Sequence, residues 1–233
     1  MDVSATAVPS VCLADIPRPK VRKLKDQRTL EVAAINAGLG PVAGVDEAGR
    51  GACAGPLVVA SCLLPAKIIP ALAGLTDSKK LSPRRRQALE PEIKRHALAW
   101  SVVVISAADI DVRGIQYANT EGMRRAVAQL YPKPGFVLTD ALRISGVAAP
   151  SLAVIGGDLE TRCIAAASVL AKQARDRIMV ELDKNAPGYG FALHKGYGTR
   201  DHFNAIVKLG ASDHHRMSYK NVRAAHQLHL EGI

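Results

Sequence analysis

Four carboxylates stand where apolar, strand-like runs end. Asp46 and Glu47 follow residues 42–45, Asp140 closes 135–140, and Asp158 closes 151–158. A cluster of hard oxygen donors suits Mg²⁺ or Mn²⁺. Adjacent residues of a regular strand face opposite ways. Asp46 and Glu47 therefore share one site only if the strand bends or ends between them, which Gly49 and Gly51 permit. Arg50, between those glycines, carries a planar fork that matches phosphate. Each acid also has a plainer reading: Asp-Glu before Gly-Arg-Gly as a surface turn, Asp140 as a turn residue, Asp158 as a helix N-cap. Convergence would separate the two. Sites in open α/β sheets lie beyond the carboxyl ends of strands, where runs ending in Asp46, Asp140 and Asp158 can meet.

The elements that must position these residues are readable from pattern. Residues 29–39 have helical spacing at Leu30, Ala33, Ala34 and Ala37, stopped by Gly38 and Gly40. Residues 42–45 and 57–64 read as a hairpin with a tight glycine turn. Ser82 and Pro83 open a helix that runs to about residue 96. Residues 97–106 form a third strand, and 109–131 contain a helix with an apolar stripe of Ala118, Met123, Ala126, Val127 and Leu130. After the strands that end in Asp140 and Asp158, one long helix is expected over 159–184. Its buried face is Cys163, Ala167, Leu170, Ala174, Ile178 and Leu182. Residues 189–202 are Gly- and aromatic-rich, hence a loop, and Thr199 can cap a helix over 200–209. Tyr197, between two glycines, can stack on a sugar or base or pack as a loop aromatic. Residues 222–233 read as a tail.

At 233 residues the chain is long enough for one domain with a real core. Lys and Arg exceed Asp and Glu by 31 to 21, which points to a polyanionic partner, nucleic acid before anionic membrane. Cys12, Cys53, Cys62 and Cys163 contain no Cys-x-x-Cys pair, so they read as reduced thiols of a cytoplasmic protein rather than a zinc site. No apolar run reaches membrane-spanning length, and no basic start with an apolar stretch marks a secretory signal. Residues 1–16 look disordered, and 18–28 form a basic, solvated segment.

Val-Asp-Glu-Ala-Gly-Arg-Gly at 45–51, followed by Gly-Pro-Leu-Val at 55–58, resembles the signature of type 2 ribonucleases H, in their bacterial ribonuclease HII form. The likeness extends to Asp-Ser-Lys-Lys-Leu at 77–81 and to Asp140. It continues through Gly157-Asp158 with Ile-Ala-Ala-Ala-Ser-x-x-Ala-Lys at 164–172, His-Lys-Gly-Tyr-Gly-Thr at 194–199, and His-Arg-x-Ser at 215–218. It departs at Gly114, where the family usually has Asn, and at Gly156, where it usually has Lys. The resemblance implies a ribonuclease H-like α/β fold: a mixed five-stranded sheet of three antiparallel and two parallel strands, flanked by helices, with a C-terminal helical extension. The catalytic domain would span 41–221, after an N-terminal segment of 1–40.

The resemblance also implies chemistry. Asp46, Glu47, Asp140 and Asp158 would hold two Mn²⁺ or Mg²⁺ ions, with Asp46 bridging. Two such ions about 3.5–4 Å apart activate a water and assist the leaving oxygen. Gly49, Arg50 and Gly51 would read the ribose 2′-hydroxyl, the group that distinguishes RNA from DNA. Tyr197 would check the neighbouring deoxynucleotide, and Ser78, Lys79 and Lys80 would touch the substrate backbone. The substrates would be RNA–DNA hybrids and duplex DNA with embedded ribonucleotides, cut by a monomer. A type 3 ribonuclease H ranks second, because 40 mostly polar residues before Pro41 are too few for that class's N-terminal domain. A non-catalytic hybrid binder is opposed by the presence of all four acids. A membrane-surface protein is opposed by the lack of an amphipathic basic helix.

Overall fold

The computed structural model describes residues 27–232. Expectations for residues 1–16, for most of the basic segment and for Cys12 lie outside the described residues. A short helix α1 (Thr29–Asn36) leads into strand β1 (Val42–Ala48). Strand β2 (Leu57–Leu63), helix α2 (Pro83–His96) and strand β3 (Ala99–Ile105) follow. Then come helices α3 (Ala107–Arg113) and α4 (Ile115–Ala128) and strands β4 (Phe136–Asp140) and β5 (Ser151–Val154). The C-terminal third is helical: α5 (Gly157–Glu160), α6 (Arg162–Asn185), α7 (Phe191–His194), α8 (Arg200–Leu209) and α9 (Lys220–Glu231).

The strands form one sheet in the order β3-β2-β1-β4-β5. β3, β2 and β1 are antiparallel neighbours, whereas β4 and β5 join parallel to β1. That is the expected mixed sheet of three antiparallel and two parallel strands. Its two faces are covered by different helices. Ala48, Val58 and Ala60 pack on α2 and the first half of α6. Val45, Leu57 and Val59 pack on α4 through Ala118, Met123 and Ala126. β2 is buried along its whole length, which its unbroken apolar run requires. α6 sits hard on β1: a side chain at Gly44 would lie 2.1 Å from the Cys163 carbonyl carbon. Glycine there lets the helix backbone seat directly against the strand.

Several expectations need correction. The β1–β2 link is not a tight turn but a loop over 49–56. The expected helix within 109–131 is two helices, split at Gly114, which has φ 82° and ψ 150°. Only glycine adopts that backbone at low cost. β5 stops at Val154, so Asp158 does not end a strand. It lies in α5, and Thr161, extended at φ −136°, separates α5 from the 24-residue α6. No side-chain cap bond forms at α5, so Asp158 is not an N-cap either. Residues read as a tail form α9, which buries Val222 and Ala225. α9 is tied to α8 and the segment after it: the Ala211 N–H donates to His226 Nδ1, and His229 Nδ1 bonds the Val207 carbonyl.

Candidate active site

β1 stays regular through Ala48, pairing Asp46 with Ala60 and Glu47 with Val59. No bend separates the two acids, and they leave on opposite faces. Asp46 points to the α6 side, where Ser168 also bonds its carboxylate. Glu47 points to the α4 side, facing Asn119 and Arg50, whose Nη1 is 3.9 Å away. They still belong to one site, because both reach the sheet's carboxyl end. The parallel β1–β4 register pairs Val45 with Thr139, so Asp140 stands beside Asp46 one step further on. Asp140 Oδ1 accepts from the Gly157 N–H at 2.8 Å, which draws α5 and Asp158 to the same end.

The electrostatics show the crowding. Burial pushes the Asp46 carboxyl well above its usual range, and Glu47 and Asp140 push it further. Glu47 is raised by burial, against the pull of Arg50. Asp158 is raised to about 6 by burial, then by Asp77 and Asp140. Asp77 is the carboxylate that sequence reasoning missed. It is 9% exposed, accepts from the Lys79 N–H at 2.9 Å and hydrogen-bonds Asp158. Lys79 lies among Asp46, Asp77, Asp158 and Asp140; burial opposes its charge, but the four acids outweigh that and raise its pKa.

Ser78 and the two lysines part company. Ser78 is 3% exposed, and its hydroxyl pairs with that of Ser168 at 2.8 Å. Its side chain thus lies behind Asp46, with Ser168 between them. Both lysines are exposed, and Lys79 stands close enough to the acids for them to raise its pKa.

Asn119 is fully buried on the α4 side, and its side-chain amide bonds the Glu47 carboxylate, opposing the rise that burial causes there. Leaving a buried carboxylate short of a partner costs about 1–3 kcal/mol. Asn119→Leu should therefore lower the melting temperature by several degrees, at about 2–4 °C per kcal/mol, and lower cleavage as Glu47 loses its polar neighbour. Thermal unfolding beside a cleavage assay checks both. An unchanged melting temperature would show that the amide does not hold Glu47.

The Gly-Arg-Gly loop is held from below. The Arg50 carbonyl accepts from Arg216 Nη1 at 3.0 Å and from the Tyr219 hydroxyl at 2.8 Å. Arg216 also donates through Nε and Nη2 to the Gly55 carbonyl and through Nη1 to the Tyr219 hydroxyl. Gly51 is exposed, with no atom within 4 Å of where a Cβ would stand. Tyr197 is 41% exposed. Its carbonyl is bonded by His202 Nδ1 at 2.9 Å.

That histidine ends a relay. His215 Nδ1 accepts from the Ser212 N–H at 2.9 Å, so its proton sits on Nε2, 3.0 Å from His202 Nε2. His202 must then carry its proton on Nδ1, toward Tyr197. The relay needs both rings neutral, and burial lowers both pKa values to about 4. Between the ordinary value of 6.5 and about 4, the unfolded chain binds protons that the folded chain refuses. Stability should thus fall as pH drops through that window, by on the order of 3 kcal/mol per ring. Urea unfolding at pH 7 and 4.5 should show a steeper loss in the wild type than in His202→Gln. Both rings therefore serve the fold, linking the Tyr197 segment to Ser212.

Comparison with known proteins agrees with the geometry. The family model described as Ribonuclease HII matches residues 43–222. The Ribonuclease HII of Nocardia farcinica is 63% identical over 207 residues, covering 89% of this chain and 82% of that protein. The crystal structure of ribonuclease H2 from Pyrococcus horikoshii superposes with a TM-score of 0.70 at 26% identity, covering 80% of this chain and 97% of that one. Bst-RNase HIII in complex with Mn²⁺ superposes at 0.63 with 19% identity, covering 88% and 82%, a likeness of fold alone. A type 2 signature along most of the chain, on the ribonuclease H fold, places this chain in the ribonuclease HII family of nucleases.

Proposed function

We propose that the chain hydrolyses the RNA strand of RNA–DNA hybrids and nicks on the 5′ side of single ribonucleotides in duplex DNA, leaving 3′-hydroxyl and 5′-phosphate ends. The observation that supports this reading best is the gathering of Asp46, Glu47, Asp140 and Asp158 at one sheet end, beside the Gly-Arg-Gly loop. These four acids would hold Mg²⁺ or Mn²⁺; the Bst-RNase HIII structure contains Mn²⁺. The donor set fits: all oxygen, with three of the carboxyl groups raised by burial first and by neighbouring acids second. Among the described residues no three His, Cys, Asp or Glu side chains are arranged to hold an ion unaided. Water and substrate phosphate would have to complete the shell of any ion held by these acids. Bound there, divalent ions would supply an activated water and charge relief at the leaving oxygen.

The chain's own groups do the rest. Gly51 offers bare backbone to the ribose 2′-hydroxyl, Arg50 offers its fork to a phosphate, and Tyr197 offers an exposed ring to the neighbouring sugar. Lys80 is free to approach the backbone of the duplex from solvent. The reading carries with it a cytoplasmic location, which fits the buried, unbridged Cys53, Cys62 and Cys163. No helix among the described residues is long and apolar enough to cross a membrane.

The test is cleavage of a DNA duplex holding one ribonucleotide, with Mg²⁺, Mn²⁺ or chelator, beside an all-DNA duplex. A single metal-dependent nick 5′ of the ribonucleotide is expected. Cutting confined to long hybrids would remove the junction reading, and tight binding without cutting would favour a non-catalytic binder.

A further inference from the structure

Arg175, on α6, is fully buried, and it takes part in none of the ion pairs among the described residues. Its donors go to three backbone carbonyls instead: Nε to Pro56 at 2.9 Å, Nη2 to Ala54 at 3.1 Å and Nη1 to Lys195 at 2.8 Å. The first two belong to the loop that follows Gly-Arg-Gly. The third belongs to the segment that carries Tyr197, whose ring centroid is 5.5 Å from the guanidinium carbon. The same two segments meet directly above, where the Cys53 and Ala54 N–H groups both donate to the Gly196 carbonyl, at 2.8 and 3.1 Å.

Burying a guanidinium without a carboxylate costs several kcal/mol, and nothing in the α6 packing calls for a cation. A hydrophobic side chain would fill the space. A planar fork is needed only if several carbonyls on different segments must be held at fixed separations, with a ring against the fork's face. We infer that Arg175 is a positioning residue that sets the gap between the 49–56 loop and Tyr197, and through that gap the preference for a ribonucleotide–DNA junction over a continuous hybrid. This rests on the junction-reading function proposed above.

Lysine keeps the charge but cannot reach three carbonyls in a plane or stack as the fork does. The experiment measures kcat and KM on a single-ribonucleotide duplex and on a long RNA–DNA hybrid, for the wild type, Arg175→Lys, Tyr197→Ala and the double variant. With Arg175→Lys, the junction-to-hybrid ratio of kcat/KM should fall about tenfold or more, the scale of one charge-assisted hydrogen bond. Its kcat on the hybrid should stay within about threefold of wild type. The double variant should be no less selective than Tyr197→Ala alone, because both changes act on one gap. Equal losses on both substrates, or losses that multiply in the double variant, would overturn the inference.

If Arg175→Lys does not fold, Arg175→Gln decides. It removes the buried charge and keeps a planar amide that can donate to no more than two of the three carbonyls. It should lose the same selectivity, and wild-type selectivity in that variant overturns the inference. A wild type without junction preference would instead sink the function on which this rests, and the wild-type arm alone shows that.

Discussion

Asp46→Asn should abolish cleavage and, in chelator, melt at a higher temperature than the wild type. The two effects have one cause. Asp46 is 6% exposed, with Glu47 and Asp140 as charged neighbours. Its folded pKa lies well above the ordinary 3.8, so ionising it costs folding free energy that is absent at low pH and grows as pH rises through the folded value. Asn removes the charge, and its Oδ1 can still accept from the Glu47 N–H, 2.8 Å away in the wild type. Relief of about 1–3 kcal/mol, the scale of such a buried repulsion, corresponds to a rise of several degrees. Cleavage should drop by about 10³-fold or more, since several kcal/mol of transition-state charge stabilisation depends on the ions these acids hold. Cutting of the single-ribonucleotide duplex and calorimetry in chelator measure the two halves. Surviving activity would remove Asp46 from the site, and an unchanged melting temperature would show that Lys79 already neutralises the cluster.

What could be read from the sequence follows from the kind of signal each residue carries. β1, β2 and β4 are continuous apolar runs and α4 carries a helical stripe, and Ala118, Met123, Ala126, Val127 and Leu130 are all buried as their spacing requires. The acids at 46, 47, 140 and 158 stood out because charge interrupts apolar runs. Asp77 did not, because an acid in Thr-Asp-Ser-Lys-Lys is an ordinary turn residue. Its meaning depends on α5 bringing Asp158 to it across eighty residues of chain. Arg175 was invisible for the opposite reason. Hydropathy assigns an arginine to the wet side of a helix, and the expected buried face of α6 ran through Ala174 and Ile178. The structure keeps those two partly buried and places Arg175 and Met179 deep inside. Carbonyls from distant loops satisfy that guanidinium, and backbone carbonyls leave no mark in a sequence. The break at Thr161 and the helix at α9 were missed in the same way. The first depends on the left-handed turn at Gly156, and the second on apolar contact at only Val222 and Ala225.

Gly49 and Gly51 look equivalent in sequence, yet alanine should separate them into a folding residue and a substrate-facing one. Gly49 has φ 89°, and a Cβ there would lie 1.9 Å from Arg175 Nε. A long side chain can usually swing clear of such an overlap. Arg175 cannot do so cheaply, because three carbonyls pin it and it is fully buried. Alanine at 49 thus adds backbone strain of about 1–3 kcal/mol to the breakage of bonds on a buried charge, itself about 3–5 kcal/mol. A loss near the upper range of single substitutions is expected, enough to unfold a marginal domain at 37 °C. Gly51 is exposed, its φ lies outside the left-handed region, and open space surrounds its missing Cβ. Gly51→Ala should change stability by no more than about 0.5 kcal/mol. Its effect should fall on the substrate: a methyl group where the ribose must approach raises KM on the single-ribonucleotide duplex by about tenfold or more, the scale of a clash worth 1.4 kcal/mol. Urea unfolding and steady-state cleavage of both variants test the division. If Gly51→Ala cut normally, the bare backbone at 51 would not be where the 2′-hydroxyl is read. If Gly49→Ala were as stable as wild type, Arg175 would not be pinned as the structure shows it.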